Sequence, residues 1–217
     1  MKSNITNDKV IDYINSYYKP LNHRLLELRE AGEANNVPII MRETESFLSF
    51  LLEVKKPKKI LEIGTAIGYS AAFFAVKCPD AEVLTIEKKP EMAEIAIKNI
   101  ENLNLENRIR VLKGDGEDML KDFRDPMFDF IFIDAAKSHY ERFFKAACKA
   151  AVDEAIIVSD NVLQHGMTVS NEYDVYDKHR TNIRQMRAFV DFLDTYGGTT
   201  ALLSQGDGLA LTIVRKN

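Results

Sequence analysis

The residues best able to do chemistry in this 217-residue chain sit directly after short apolar runs. Asp134 closes FDFIFID, and Asp160-Asn161 closes AIIVSDN. If those runs are neighbouring strands of one sheet, two carboxylates and an amide converge on one point. Three hard oxygen donors suit Mg2+ or Ca2+ and leave coordination positions for substrate oxygens. A lone aspartate at a strand end is ordinarily a cap, and the D…DN combination is more specific than that. Lys137 lies three residues past Asp134. Beside a dication its ammonium form is disfavoured, so its pKa is expected to fall and it becomes a candidate base. A lysine facing solvent is the alternative.

A second constellation precedes the first. The run KILEI ends in Gly64-Thr65-Ala66-Ile67-Gly68-Tyr69-Ser70. Glycines allow a tight turn and close approach of a ligand, and a following helix presents free N–H groups. The spacing is GxxxG rather than the GxGxxG of dinucleotide binders, and the pair alone equally suits a structural turn. Glu87 closes EVLTIE roughly 20 residues further on, where an acid can accept both hydrogen bonds of a ribose diol. Gly114-Asp115-Gly116 closes IRVLK and supplies a third wall for an adenosine-sized ligand. The four histidines, His23, His139, His165 and His179, do not cluster, although His139 and His165 flank the aspartate segments.

These sites need elements to hold them. Helical spacing of Val10, Ile11, Ile14 and Tyr17 predicts a helix over Asp8–Tyr18, ended by Pro20. Two more are predicted over Leu21–Asn35 and Arg42–Val54, joined by Val37-Pro38-Ile39-Ile40, a link apolar enough to be tucked against something. After Pro57 short apolar runs alternate five times with helical stretches, the signature of a parallel sheet with crossover helices. A helix over Thr181–Thr195 and two runs around the turn QGDG then predict an antiparallel hairpin. The expected fold is α/β and Rossmann-like, a doubly wound, mostly parallel seven-stranded sheet with an antiparallel C-terminal hairpin. One domain is expected over residues 1–217, with a helical cap at 1–55 and the core at 56–217.

Composition narrows the classes. A hydrophobic fraction of 46% and a charged fraction of 29% are those of a globular chain. No apolar run approaches the roughly 20 residues of a membrane span, and MKSNITNDKV lacks a signal-peptide core, so a cytoplasmic address is expected. The net charge of −4 speaks against unspecific coating of nucleic acid but allows a local basic patch. Cys78 and Cys148 lie apart among apolar or alanine-rich helical residues and are expected to be reduced structural thiols.

Taken together, the motifs resemble the magnesium-dependent catechol and caffeoyl-CoA O-methyltransferase superfamily, from about Val37 to the C-terminus. The blocks VPII, KKILEIGTAIGYSA, FIDAAKSHY, SDNVL and GDGLA are similar to bacterial tRNA 5-hydroxyuridine methyltransferases, which make 5-methoxyuridine at the wobble position. The resemblance implies a class I methyltransferase fold, S-adenosylmethionine as methyl donor and Mg2+ as metal. It implies Asp134, Asp160 and Asn161 as metal ligands, Glu87 as the ribose acid, and Lys137 as base, with a water as the alternative. It further implies Ile40, Gly64, Ser70, Asp115 and Gly116 as donor contacts, with Asp134 beside the donor. One departure bears on the acceptor. The glutamate that holds the second hydroxyl in the catechol enzymes has no obvious counterpart in DKHRTNIRQMR.

That stretch is basic instead. Arg180, Arg184 and Arg187 share a helix face, preceded by Lys178 and His179. They read either as phosphate contacts for tRNA or as a solvated face. The expected reaction is attack of an acceptor oxyanion on the sulfonium methyl, in line, with positioning worth on the order of 7–11 kcal/mol. A small phenolic acceptor shares all of this chemistry. A nicotinamide oxidoreductase would share only the fold, and a noncatalytic adenosine- or RNA-binding module would not need Lys137. The apolar N-terminal helices are expected to form a homodimer interface.

Overall fold

The parallel strands exist because their sequences are apolar on both faces. FDFIFI sends Phe130 and Phe132 to one side of the sheet and Ile131 and Ile133 to the other, and all four are buried. The computed structural model describes residues 5–121, 123, 125–176 and 178–216. Its strands are β1 (Lys59–Ile63), β2 (Glu82–Glu87), β3 (Ile109–Lys113), β4 (Phe128–Ile133), β5 (Ala151–Asp160), β6 (Thr199–Leu203) and β7 (Leu209–Ile213). They form one seven-stranded sheet in the order β3-β2-β1-β4-β5-β7-β6. The first five pair in parallel, and β7 runs antiparallel between β5 and β6. The doubly wound sheet with its antiparallel hairpin is therefore the one the sequence predicts.

Helices cover both faces. The N-terminal helices α1 (Asp8–Asn15), α2 (His23–Ala34) and α3 (Arg42–Lys55) precede the sheet. The crossover helices are α4 (Tyr69–Lys77), α5 (Pro90–Asn102), α6 (Gly116–Lys121) and α7 (Tyr140–Ala150), and α8 (Arg180–Thr195) leads into the hairpin. On one face Phe74 of α4 meets Phe130 and Phe132 edge-on, with ring centroids 5.9 and 5.3 Å away. Leu25, Leu48 and Leu52 of α2 and α3 join that cluster. On the other face Phe144 of α7 packs against Phe189 of α8, 5.8 Å between centroids. Full burial of such side chains stabilises by roughly 1.5–3 kcal/mol each.

Helix ends follow local chemistry. Asn7 and Asn22 cap α1 and α2 by accepting from Lys9 and Leu25 backbone N–H groups, and Pro90 opens α5. The first helix stops at Asn15, short of the predicted Tyr18, because nothing on it is buried to hold the last turn. The apolar link is tucked in as expected: Ile40 is buried and Val37 and Ile39 pack against the core. Cys78 is buried and Cys148 half-buried, both as free thiols. Among the described residues no helix is long and apolar enough to cross a membrane.

Candidate active site

In this order of strands the five parallel carboxyl ends form a continuous rim. Along it stand Asp115 after β3, Glu87 at the end of β2, Gly64 after β1, Asp134 after β4 and Asp160-Asn161 at the end of β5. Strand order reverses between β1 and β4, the switch point where doubly wound sheets open a crevice for ligands. Gly64 sits at that point with φ +103°, and a Cβ there would lie 2.0 Å from the Asp134 carbonyl oxygen. Glycine is thus required for the two strand tips to meet.

On the β1–β3 side, Glu87 is buried at 8% exposure. Its Oε2 accepts from the Thr65 and Ala66 amides at 3.2 and 2.9 Å, and Oε1 accepts from the Lys89 amide at 2.8 Å. The carboxylate therefore shapes the Gly64–Ser70 loop at the carboxyl end of β2. Asp115 accepts from Lys88 at 2.9 Å, which holds its carboxyl below the usual range despite some burial. The next residue, Gly116, is buried, with Ile63 and Phe143 against it.

Glu62 borders the glycine loop, and patterning alone does not single it out from its strand. It is fully buried and accepts from Ser70 Oγ and Thr85 Oγ1. Burial pushes its carboxyl up to about 7, helped by Asp134 and Glu87 and opposed by the two hydroxyls. In KILEI a charged residue between isoleucine and leucine looks like a surface position, and only its place just before the glycine loop could have signalled otherwise.

On the β4–β5 side, the register Ile133↔Ser159 sets Asp134 and Asp160 side by side at the next step. Asn161, at φ +61°, donates from Nδ2 to Asp134 Oδ1 at 3.2 Å, and its own amide N–H donates to Asp160 Oδ1 at 2.7 Å. Lys137 Nζ lies 3.4 Å from Asp134 Oδ1. The three expected metal ligands and the candidate base are therefore brought together. Burial pushes Asp160 up to about 8, with Asp134 adding to the effect and Lys137 opposing it.

The expected fall in the Lys137 pKa is one that a neighbouring dication would cause. Burial lowers the lysine pKa, but Tyr140, Asp134 and Asp160 outweigh burial and raise it above the ordinary lysine value. A lysine between two carboxylates keeps its proton, and the expected fall presupposes a dication in its place. Tyr140 is a second residue that patterning does not single out. Fully buried, it donates to the Asp160 carbonyl at 2.8 Å and lies 3.4 Å from Lys137 Nζ. Among the described residues no three His, Cys, Asp or Glu side chains surround one point, since the third donor here is an amide.

The remaining expected residues are more dispersed. His139 packs edge-on against Phe143, and His165 leans on the buried Asp207 of the QGDG turn, Nδ1 to Oδ1 3.5 Å. The hairpin turn thus holds the segment after Asn161, and Val162 and Leu163 also donate to the Gly208 and Asp207 carbonyls. Arg180, Arg184 and Arg187 line one open cleft of about 530 Å3 with Asn171, Asp174 and Asp191. Arg180 and Arg184 are exposed. Arg187 is half-buried and donates to the Thr168 and Met167 carbonyls at 2.7 and 3.0 Å. Lys178 stacks on Tyr176, 5.3 Å from its ring centre.

With this geometry established, the sequence and fold define the class: the O-methyltransferase family profile matches residues 14–216, and the chain belongs to that family. Among its relatives, the Mycobacterium tuberculosis catechol O-methyltransferase is 32% identical over 190 residues, covering 85% of this chain and 86% of that protein. The Populus kitakamiensis caffeoyl-CoA O-methyltransferase is 31% identical over 188 residues, covering 82% and 78%. A Staphylococcus aureus protein provisionally called a caffeoyl-CoA O-methyltransferase superposes with a TM-score of 0.89 at 33% identity, over 95% of this chain and all of its own. The Bacillus cereus O-methyltransferase, solved in complex with SAH (S-adenosylhomocysteine), superposes at 0.80 with 28% identity, over 95% and 97%.

Proposed function

We propose that this O-methyltransferase moves a methyl group from S-adenosylmethionine to the acidic hydroxyl of 5-hydroxyuridine in tRNA, with Mg2+ in the site. The single observation that carries the reaction type is the unbroken rim. A ribose-sized acid and glycine loop on β2 and β1 adjoin two carboxylates, an amide and a lysine on β4 and β5.

The donor set fits a hard dication, because Asp134, Asp160 and the Asn161 amide offer oxygen ligands and Lys137 only partly offsets two adjacent carboxylates. Those three residues would hold the ion. When bound, it supplies a Lewis acid that lowers the pKa of an acceptor hydroxyl. Glu87, Ile40, Gly64, Ser70, Asp115 and Gly116 would hold the methyl donor. Glu87 would bind the ribose, and the Gly64–Ser70 loop, whose Thr65 and Ala66 amides Glu87 holds, would carry the rest of the donor. Lys137, once a bound dication has lowered its pKa, or a water would take the acceptor proton, and Tyr140 keeps Lys137 and the Asp160 backbone in place.

For the acceptor, tRNA is supported by the exposed Arg180 and Arg184 at the start of α8 and by Tyr173, Val175 and Tyr176 in the segment that precedes it in sequence, which are 45%, 79% and 78% exposed. Basic side chains next to exposed rings suit a single-stranded nucleic-acid loop. The catechol and caffeoyl-CoA names of the relatives favour a small phenol as the second reading. A homodimer surface is read on α1, where Val10, Tyr13 and Ile14 are exposed together.

The test is a competition assay with methyl-labelled S-adenosylmethionine, hydroxyuridine-containing tRNA and catechol. Mass analysis of nucleosides should show 5-methoxyuridine. Efficient methylation of catechol with untouched tRNA would overturn the tRNA reading and leave the reaction type standing.

A further inference from the structure

We propose that Arg29 is a positioning residue for the methyl-donor half of the site, acting through Tyr69 and the Ile40 carbonyl. The inference rests on the reading that Ile40 and the Gly64–Ser70 loop hold the donor.

Arg29 lies on α2 and is 1% exposed, a rare condition for an arginine. A buried guanidinium is tolerated only when its donors are matched, and an apolar side chain would serve mere packing at least as well. Here the donors are matched in a directed way. Nε donates to Tyr69 Oη at 3.0 Å, Nη2 donates to the Ile40 carbonyl at 3.0 Å and also reaches the Glu45 carboxylate, and Nη1 lies 3.2 Å from Glu33. Glu45, on α3 and 3% exposed, accepts from Tyr69 Oη at 2.6 Å and from Tyr18 Oη at 2.8 Å. The guanidinium also lies over the Tyr69 ring, 4.5 Å from its centre.

One side chain therefore ties four segments to each other: α2, the Val37–Ile40 link, α3 and the first residue of α4. Two of its partners bear directly on the donor site. Ile40 is itself a candidate contact, and Tyr69 immediately precedes Ser70, whose hydroxyl reaches Glu62. Gly32, one turn along α2, packs beneath Ile39 and Ile67 and brings the link against the loop from the same side. The neighbouring core of Leu25, Leu48 and Leu52 is apolar and does not depend on these bonds. Arg29 thus fixes the spacing between the link and the loop, and the donor binds in that spacing.

Tyr69→Phe is the decisive variant, because it keeps the ring under the guanidinium and removes only the hydroxyl. Arg29→Met removes the tie completely. S-adenosylhomocysteine affinity is read by calorimetry, KM for S-adenosylmethionine and kcat by steady-state assay, and folding by thermal melting. Tyr69→Phe, which removes the hydroxyl's bonds to both Arg29 and Glu45, should weaken S-adenosylhomocysteine about tenfold and raise KM with kcat nearly unchanged. Arg29→Met should weaken it further, and hydrogen exchange at residues 37–41 should quicken in both. A Tyr69→Phe protein that melts lower but binds S-adenosylhomocysteine like the parent would overturn the proposal, since a structural tie alone behaves that way. Glu87→Ala, run in parallel, separates the two readings. If Glu87→Ala also binds normally, the donor-site reading has failed; if it alone loses binding, only the role of Arg29 has failed.

Discussion

Glu62 carries a pH signature of its own. Its carboxyl stands at about 7 in the folded chain against 4.5 ordinarily, so the folded state holds the proton more tightly. Its contribution to stability is complete below pH 4.5 and is lost as pH rises through about 7. The difference is on the order of 3 kcal/mol. Glu62→Gln should reduce the pH slope of the denaturation midpoint across that window, Asp160 supplying the rest, and stabilise the protein on its alkaline side; an unchanged slope would contradict the assignment. Lys137→Met should lower kcat by about 10²–10⁴ while S-adenosylhomocysteine binding stays intact, as general acid–base roles predict. At this scale the sequence was legible where residue type and strand end coincide, as for Asp134, Asp160 and Glu87. It was not legible where a polar residue is buried by tertiary contact. Charged residues such as Arg29, Glu45 and Glu62 are ordinarily exposed, and neighbours distant in sequence supply the partners that bury them here.

Strands were the most readable elements, because KILEI, IRVLK and FDFIFI are short, apolar and bounded by turn residues, and each coincides with an observed strand. The segment between β5 and α8 was the least readable. Its shape comes from positive-φ residues Asn161, Gln164 and His165 and from two remote anchors, Asp207 and Arg187. Sequence patterning carries no trace of such anchors. Arg187 is an anchor on this account rather than a free cation, since its donors hold the Met167 and Thr168 carbonyls. Arg187→Ala should destabilise by about 1–3 kcal/mol through the unmet carbonyls. It should raise KM for the acceptor while leaving donor affinity unchanged, which steady-state kinetics and calorimetry would separate. Equal losses on both substrates would show that the segment supports the whole rim.

The molecule as a whole divides its work along the sheet edge. In the proposed reading the β1–β3 end takes the methyl donor and the β4–β5 end takes metal and acceptor, while α8 carries the exposed Arg180 and Arg184. If Arg180 and Arg184 meet phosphate, the double alanine variant should bind tRNA more weakly. Its log affinity should depend less steeply on log salt, by about one unit for each phosphate no longer neutralised. Turnover of a small phenol should not change in that variant. The central claim is that methyl transfer runs at the Asp134–Asp160–Asn161 cluster with a divalent ion. It is tested most directly by turnover in excess EDTA, followed by Mg2+ addition, for the parent chain and Asp160→Asn. The account predicts loss in EDTA and recovery with Mg2+ for the parent, no recovery for Asp160→Asn, and S-adenosylhomocysteine binding in both. Full turnover of the parent in excess EDTA would contradict it.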